Sequence, residues 1–189
     1  MGSTYSRQGD YTGLRDQPLC VGALKLGETV AGWWTTDLLA VVDAALQIIG
    51  SPMKVTVRGT RETGLVAILA ASQSQSIDAI EAEQLLASYY SAAGYGFPYV
   101  YGDAGGHNAD LGVDGSMVPC IPTILEVADI PQLASLVCPR PLTIADPVWA
   151  DGKPVSADEM SRAFAWTIHF YEASGCPRAM TLRSERGNW

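Results

Sequence analysis

Gly59-Thr60-Arg61-Glu62-Thr63-Gly64 joins a short β-branched run, Lys54-Val55-Thr56-Val57, to an apolar run, Gly64-Leu65-Val66-Ala67-Ile68-Leu69-Ala70-Ala71. β-Branched residues suit a pleated, half-buried strand, and the apolar run that follows the turn reads as a buried helix. The stretch is therefore a sharp strand-to-helix turn. A turn of this kind needs small residues two before and two after its apex, because the backbone doubles back with no room for larger side chains. Gly59 and Thr63 meet that need, and they place Arg61 at the apex.

The elements on either side repeat the alternation of strand and helix. Upstream, a helix is expected to start near Thr35 or Thr36, run through residues 37–49 with apolar positions recurring at three and four, and end at Gly50, a left-handed C′ residue. Pro52 prevents its continuation. Downstream, Ile77-Asp78-Ala79-Ile80 and Pro141-Leu142-Thr143-Ile144 read as strands, the second preceded by a helical segment over 131–137. A helix over 157–174 starts at a Ser-x-x-Glu capping box, Ser156 and Glu159, and leaves at Gly175. Its inward face carries Met160, Phe164, Ile168 and Tyr171. Ala179-Met180-Thr181-Leu182 can form a last strand, followed by a polar tail. Strands alternating with helices predict an α/β protein, a three-layer α/β/α arrangement with a mostly parallel sheet. One domain over 1–189 is expected. A Gly- and Tyr-rich stretch, 91–120, stands in it as a lid-like insertion.

Composition narrows the function. A chain of 189 residues, 48% hydrophobic and 17% charged, can bury a proper core. Twenty acidic residues against twelve basic ones give a net charge of -8, which repels both nucleic acid phosphates and anionic lipid. Neither nucleic acid nor membrane is an expected partner. Cys20, Cys120, Cys138 and Cys176 are widely spaced and form no Cys-x-x-Cys, so they read as buried free thiols, not as a zinc site. The polar residues 1–16 hold no signal-peptide core and no segment is apolar enough to span a bilayer, so a soluble, by default cytoplasmic, chain is expected. No cofactor is expected.

Taken together, these elements resemble the carboxy-terminal half of α/β-hydrolases of the acetylxylan esterase and dienelactone hydrolase type. Leu24-Lys25-Leu26-Gly27 and residues 34–46 are similar to the helix before the nucleophile strand, and 53–71 to the strand, elbow and helix. The closest local match is Ala128-Asp129-Ile130-Pro131-Gln132-Leu133-Ala134-Ser135-Leu136-Val137-Cys138-Pro139-Arg140-Pro141-Leu142. It is similar to the family's helix ending in Ala-Pro-Arg-Pro-Leu, ahead of the strand that carries the catalytic acid. The resemblance implies a Ser, Asp and His triad. Carried over by position, the nucleophile falls on Arg61. The acid falls on Trp149, with Asp146 or Asp151 if the loop shifts by a few residues. The histidine falls on Asn188, where the family reads Gly-His and this chain Gly187-Asn188. A guanidinium cannot be deprotonated in a protein and cannot attack an acyl carbon. What the resemblance implies is therefore a hydrolase scaffold with a degenerate triad, serving binding or assembly. The alternative is a carbohydrate esterase of the acetylxylan type, working through a shifted site or through a partner chain's residues.

The remaining candidates are few. Of the two histidines, His169 lies on the surface of the 157–174 helix, and His107, in Gly105-Gly106-His107-Asn108, is the one that could reach a pocket. Asp103, Asn108, Asp110 and Asp114 crowd one loop but do not follow EF-hand spacing, and no metal is expected. Arg61 and Glu62 can form a local ion pair. Alternatively Arg61, helped by the positive end of the helix at Gly64, can bind a carboxylate or a sugar hydroxyl. Trp33, Trp34, Trp149, Trp166 and Trp189, with the tyrosines of the long loop, offer stacking surfaces for a carbohydrate. The resemblance also implies missing strands beside 54–57, leaving an apolar edge. Either a second copy of the chain or another polypeptide is expected to complete the sheet.

Overall fold

The computed structural model describes residues 16–50, 53–93 and 116–184. Helices α1 (Gln17–Lys25) and α2 (Val30–Ile49) lead into β1 (Thr56–Thr60), α3 (Glu62–Gln73) and β2 (Ala79–Glu83). The short helices α4 (Tyr89–Ala93), α5 (Ile124–Val127) and α6 (Ile130–Ser135) precede β3 (Leu142–Ala145). Next come α7 (Ala157–Ala163), α8 (Ala165–Ala173), a 3-10 turn at Pro177–Ala179 and β4 (Met180–Arg183).

The class is α/β as expected, with a four-stranded sheet in the order β1-β2-β3-β4, every neighbouring pair parallel, flanked by helices. Successive parallel strands joined by right-handed crossovers carry their helices to one side, so α3, α6 and α8 share a face. The strands alternate to match. Val57, Ile80, Ala82, Leu142 and Ile144 belong to the core that these helices cover, with Leu65, Ile68, Phe164 and Tyr171 each at most 1% exposed. The intervening residues are polar: Thr56, Arg58 and Thr60 are exposed, as are Thr181 and Arg183, while Glu81 and Glu83 are half-buried. Arg58 lies 3.7 Å from Glu81 and 3.8 Å from Glu83 across the ladder. Such alternation is unusual for a parallel sheet, whose strands are normally apolar on both sides.

The differences from expectation have local causes. Thr29, not Thr35 or Thr36, caps α2: its hydroxyl accepts the Gly32 N–H at 3.0 Å. Thr35 and Thr36 instead donate back to the Ala31 and Gly32 carbonyls at 2.7 and 3.1 Å, as threonines do inside helices. Helix α1 was not expected. The strands lie one to three residues further along than read, because the ladder continues through buried Gly59 and through Thr60, Glu81 and Glu83, whose polarity belongs to the uncovered face. Gly50 does end α2, at φ 64°. The Ser156–Glu159 capping box also forms. Its helix, however, divides at Phe164 (φ -101°, ψ 19°), where the side chain is fully buried and the Thr167 hydroxyl reaches the Pro131 carbonyl at 2.8 Å.

The 128–142 segment is a structural junction. The Asp129 carboxylate accepts the Tyr89 and Ile130 N–H groups at 2.6 and 2.7 Å and the Ser88 hydroxyl, and forms a capping box with Gln132. Arg140 donates to four carbonyls: Ala71 at 2.6 Å, Ser74 at 2.7 Å, Ile77 at 2.8 Å and Val137 at 3.2 Å. It thereby closes the C-terminus of α3 onto the start of β3. The expected insertion at 91–120 lies mostly outside the described residues. At its far end the Ser116 hydroxyl and the Met117 and Val118 N–H groups converge on Asp16, at 2.7, 3.0 and 3.2 Å.

Sheet order leaves β1 at an edge. The Val55 carbonyl accepts the Ala79 N–H, and the Arg61 N–H donates to Glu83. Odd residues of β1 therefore bond to β2, and the N–H and C=O groups of Thr56 and Arg58 point to the free edge. Thr60 is closed off, because its N–H and carbonyl both bond the Thr63 hydroxyl at 2.8 Å. Beside the edge runs a groove lined by Trp34, Leu38, Val57 and Val66. It continues along α2 as a stripe at seven-residue spacing, Trp34, Val41 and Ile48, exposed 37%, 64% and 85%.

Candidate functional site

The hexapeptide forms the turn that its sequence requires. Arg61 stands between β1 and α3 at φ 56°, ψ -118°, a conformation that residues with a Cβ rarely adopt. Gly59 makes it possible: a Cβ there would lie 2.4 Å from the Thr63 carbonyl carbon and oxygen and 2.6 Å from the Gly64 nitrogen. Gly64 is close but less strict, its Cβ position 3.3 Å from the Ala82 Cβ. Backbone strain of this kind costs about 1–3 kcal/mol and persists where surrounding structure holds it. Here the Arg61 N–H is held by the Glu83 carbonyl at 2.8 Å, and its own carbonyl accepts the Gly64 N–H at 3.0 Å.

The same event recurs at the next two strands. Gln84 follows β2 at φ 51° and donates its N–H to Ala145, while Asp146 follows β3 at φ 45° and donates to Arg183, at 2.8 and 3.0 Å. Three adjacent strands thus end at one level in a left-handed residue. Arg61 and Asp146 are two strand spacings apart, about 10 Å at the backbone. Asp146 is only 6% exposed.

Of the positions considered for the acid, Asp146 is therefore the one at a strand end. Trp149 lies three residues further out, in a turn where its N–H bonds the Lys153 carbonyl at 2.9 Å. Asp151 closes that turn, accepting the Lys153 ammonium at 2.7 Å. Partial burial pushes its carboxyl up, but the hydrogen bonds and charge of Lys153 outweigh this and hold it below the usual carboxylate range. Glu62 is half-buried in the first turn of α3, where a helix favours an anion. Asn188 and His107 lie outside the described residues, as do the acidic residues of the long loop. His169 is exposed on α8. Among the described residues, no group of three His, Cys, Asp or Glu is placed to hold a metal, and no helix is long and apolar enough to cross a membrane.

Gln84 was not singled out from sequence, and nothing in Glu83-Gln84-Leu85 marks it. Asp146 was among the positions read for the acid, and counting the β3 alternation to its end at Ala145 selects it over Trp149. Chemically, the cluster offers a permanent cation at the apex and a buried carboxyl two strands away. The apex has no nucleophile, and the Thr63 hydroxyl is committed to Thr60.

No protein-family model matches the sequence, and no curated protein is significantly similar to it. The fold is similar to the crystal structure of a putative acetyl xylan esterase from Bacteroides fragilis NCTC 9343, with TM-score 0.64 and 16% identity. The match covers 89% of this chain and 40% of that one. At this identity the likeness is one of fold, a parallel α/β arrangement shared with that protein, and the chain spans well under half of that protein's length.

Proposed function

We propose that this chain is a non-catalytic α/β-hydrolase-like protein whose strained turn serves binding and whose open strand edge serves assembly. The observation that carries the reading is Arg61 at the apex of the turn. In a hydrolase of this fold the residue there attacks the substrate, and a guanidinium has neither a removable proton nor a usable lone pair. It is suited instead to a planar anion, which it can bind through two parallel N–H donors. A carboxylate-bearing or hydroxyl-rich ligand such as an acidic sugar fits that chemistry.

Assembly rests on β1. The free groups of Thr56 and Arg58 suit an antiparallel copy of the same strand across a two-fold axis at Val57, with Thr56 opposite the partner's Arg58 and no like charges facing each other. The two α2 stripes then meet beside the joined sheets, where seven-residue spacing suits helix against helix.

A second reading, an ester hydrolase of acetylated carbohydrate, is favoured by Asp146, a buried acid at a strand end, and needs a nucleophile from elsewhere. Fluorophosphonate labelling with a panel of p-nitrophenyl esters separates the two. No labelled serine and no turnover are expected, in the wild type and in Arg61→Ser alike, because members of a triad act as a unit. Stoichiometric labelling of a serine in the wild type overturns the first reading.

A further inference from the structure

We propose that Cys138 and Cys176 are an oxidative modification site, a thiol pair poised to close into a disulfide that ties the sheet's last strand to the body of the fold. Their sulfurs lie 3.3 Å apart across 38 residues of chain, and both side chains are half-buried. A disulfide requires about 2.05 Å, a closure of roughly 1.3 Å that side-chain rotation can supply where the backbone is already placed. The backbone is well fixed at both sites. Cys138 donates its N–H to Ser135 at 3.1 Å, at the end of α6. Cys176 donates to Tyr171 at 3.0 Å and accepts from Ala179 at 3.0 Å, at the entry to β4. Beneath them, the Tyr171 hydroxyl donates to the Arg140 carbonyl at 2.9 Å, joining the same two connections.

The other cysteines differ in ways that make them an internal control. Cys20 and Cys120 are buried, and the Cys20 thiol is pushed up to about 11, first by burial and then by Asp16 and Cys120. A thiol so placed is a poor nucleophile at neutral pH.

The bond forms by exchange with a small disulfide such as oxidised glutathione. The thiolate of one cysteine attacks a glutathione sulfur, forming a mixed disulfide and releasing one glutathione thiolate. The thiolate of the other then attacks the protein-bound sulfur, completing the Cys138–Cys176 bond and releasing the second glutathione. The two protein thiols lose two electrons and two protons, and glutathione disulfide becomes two thiols. Burial, and then the hydrogen bond and charge of Cys138, raise the Cys176 thiol, so closure accelerates from neutral to mildly alkaline pH.

The bridge would enclose β3, α7 and α8 in one loop and anchor the entry to β4, an edge strand whose Thr181 and Arg183 are exposed. The test equilibrates the folded protein with oxidised glutathione, denatures it and alkylates it. The expected result is two alkylated thiols instead of four, a Cys138–Cys176 peptide by mass mapping, slower amide exchange in β4, and a Tm about 5–10 °C higher. Cys138→Ser and, independently, Cys176→Ser should show none of these changes on oxidation. Four alkylated thiols in the wild type, a bond mapped to Cys20 and Cys120, or an equal Tm rise in either variant overturns the proposal.

Discussion

Replacing Arg140 by alanine removes four donors at once, and its cost can be worked from the contacts. Nη2 serves Ala71, Nη1 serves Ser74 and Ile77, and Nε serves Val137, over 2.6 to 3.2 Å. Ala71 and Ser74 lie in the last turn and at the C-cap of α3, where carbonyls have no helical partner. At a net of about 1 kcal/mol per hydrogen bond the four contribute about 4 kcal/mol. The cation at a helix C-terminus adds roughly 0.5 kcal/mol. Arg140 is only half-buried, so water regains part of this, leaving a net loss of about 3 kcal/mol. For a chain of this size that lowers Tm by about 6–12 °C. Arg140→Lys keeps the charge, but three donors on one nitrogen cannot reach carbonyls on both sides of a planar fork, so it should recover less than half. Thermal scans by circular dichroism, with urea titration for the free energy, measure both variants. An Arg140→Ala midpoint within about 2 °C of the wild type, or full recovery by lysine, refutes the reasoning.

Gly59→Ala forces a Cβ within 2.4 Å of backbone at Thr63 and should cost at least about 3 kcal/mol. In Gly22→Ala, inside α1 with nothing within 4 Å, the change should be neutral or stabilising by up to about 1 kcal/mol; equal effects in denaturant titration contradict the account of the turn. Phe164→Ala empties a fully buried site at the α7–α8 junction and should cost about 3–5 kcal/mol, so an unchanged denaturation midpoint places that helix face wrongly. Thr56→Pro removes a donor from the free edge of β1 while sparing the β2 ladder, and sedimentation should show dissociation to monomer where Ser184→Pro remains assembled. A wild type that is already a well-folded monomer at micromolar concentration removes the assembly proposal.

The fold was legible where local chemistry is strict. The Gly59 and Gly64 turn, Gly50 after α2 and the Ser156–Glu159 box each satisfy a backbone need that few residues meet, and all three stand where they were read. Positions set by distant partners were not legible. The break at Phe164 depends on the pocket that receives that ring, and Thr35 and Thr36, though their partners are local, look like caps until their hydroxyls are seen to bond back to Ala31 and Gly32. The candidate site divides in the same way. Arg61 follows from spacing alone and Asp146 was one of the positions read for the acid, but only sheet register selects Asp146 over Trp149 and brings Gln84 beside it, residues that no motif connects. Arg140, read as part of a family resemblance, proves to be the C-terminal clamp of α3. Its carbonyl partners lie more than sixty residues upstream or close by in the chain, so only the fold displays its role.

The strain at Arg61 bears on whether the apex is used. Glycine visits φ near 56° freely, so Arg61→Gly should relieve about 1–3 kcal/mol of backbone strain and give back roughly 0.5–1 kcal/mol in chain entropy. The backbone terms alone sum to a gain of about 1 kcal/mol, close to 3 °C in Tm, from which the contacts of the Arg61 side chain are subtracted. If the arginine side chain had only a structural role, the substitution would be destabilising despite the relief. If the apex served nothing, a residue of lower cost could stand there. Stability given up at one strained position is the usual signature of a functional one. The decisive result is therefore paired: a Tm for Arg61→Gly at or above the wild type, together with loss of binding to an array of uronic-acid-bearing and neutral oligosaccharides that the wild type retains. A lower Tm with binding intact would make Arg61 a brace for the turn and remove the ligand from the proposal.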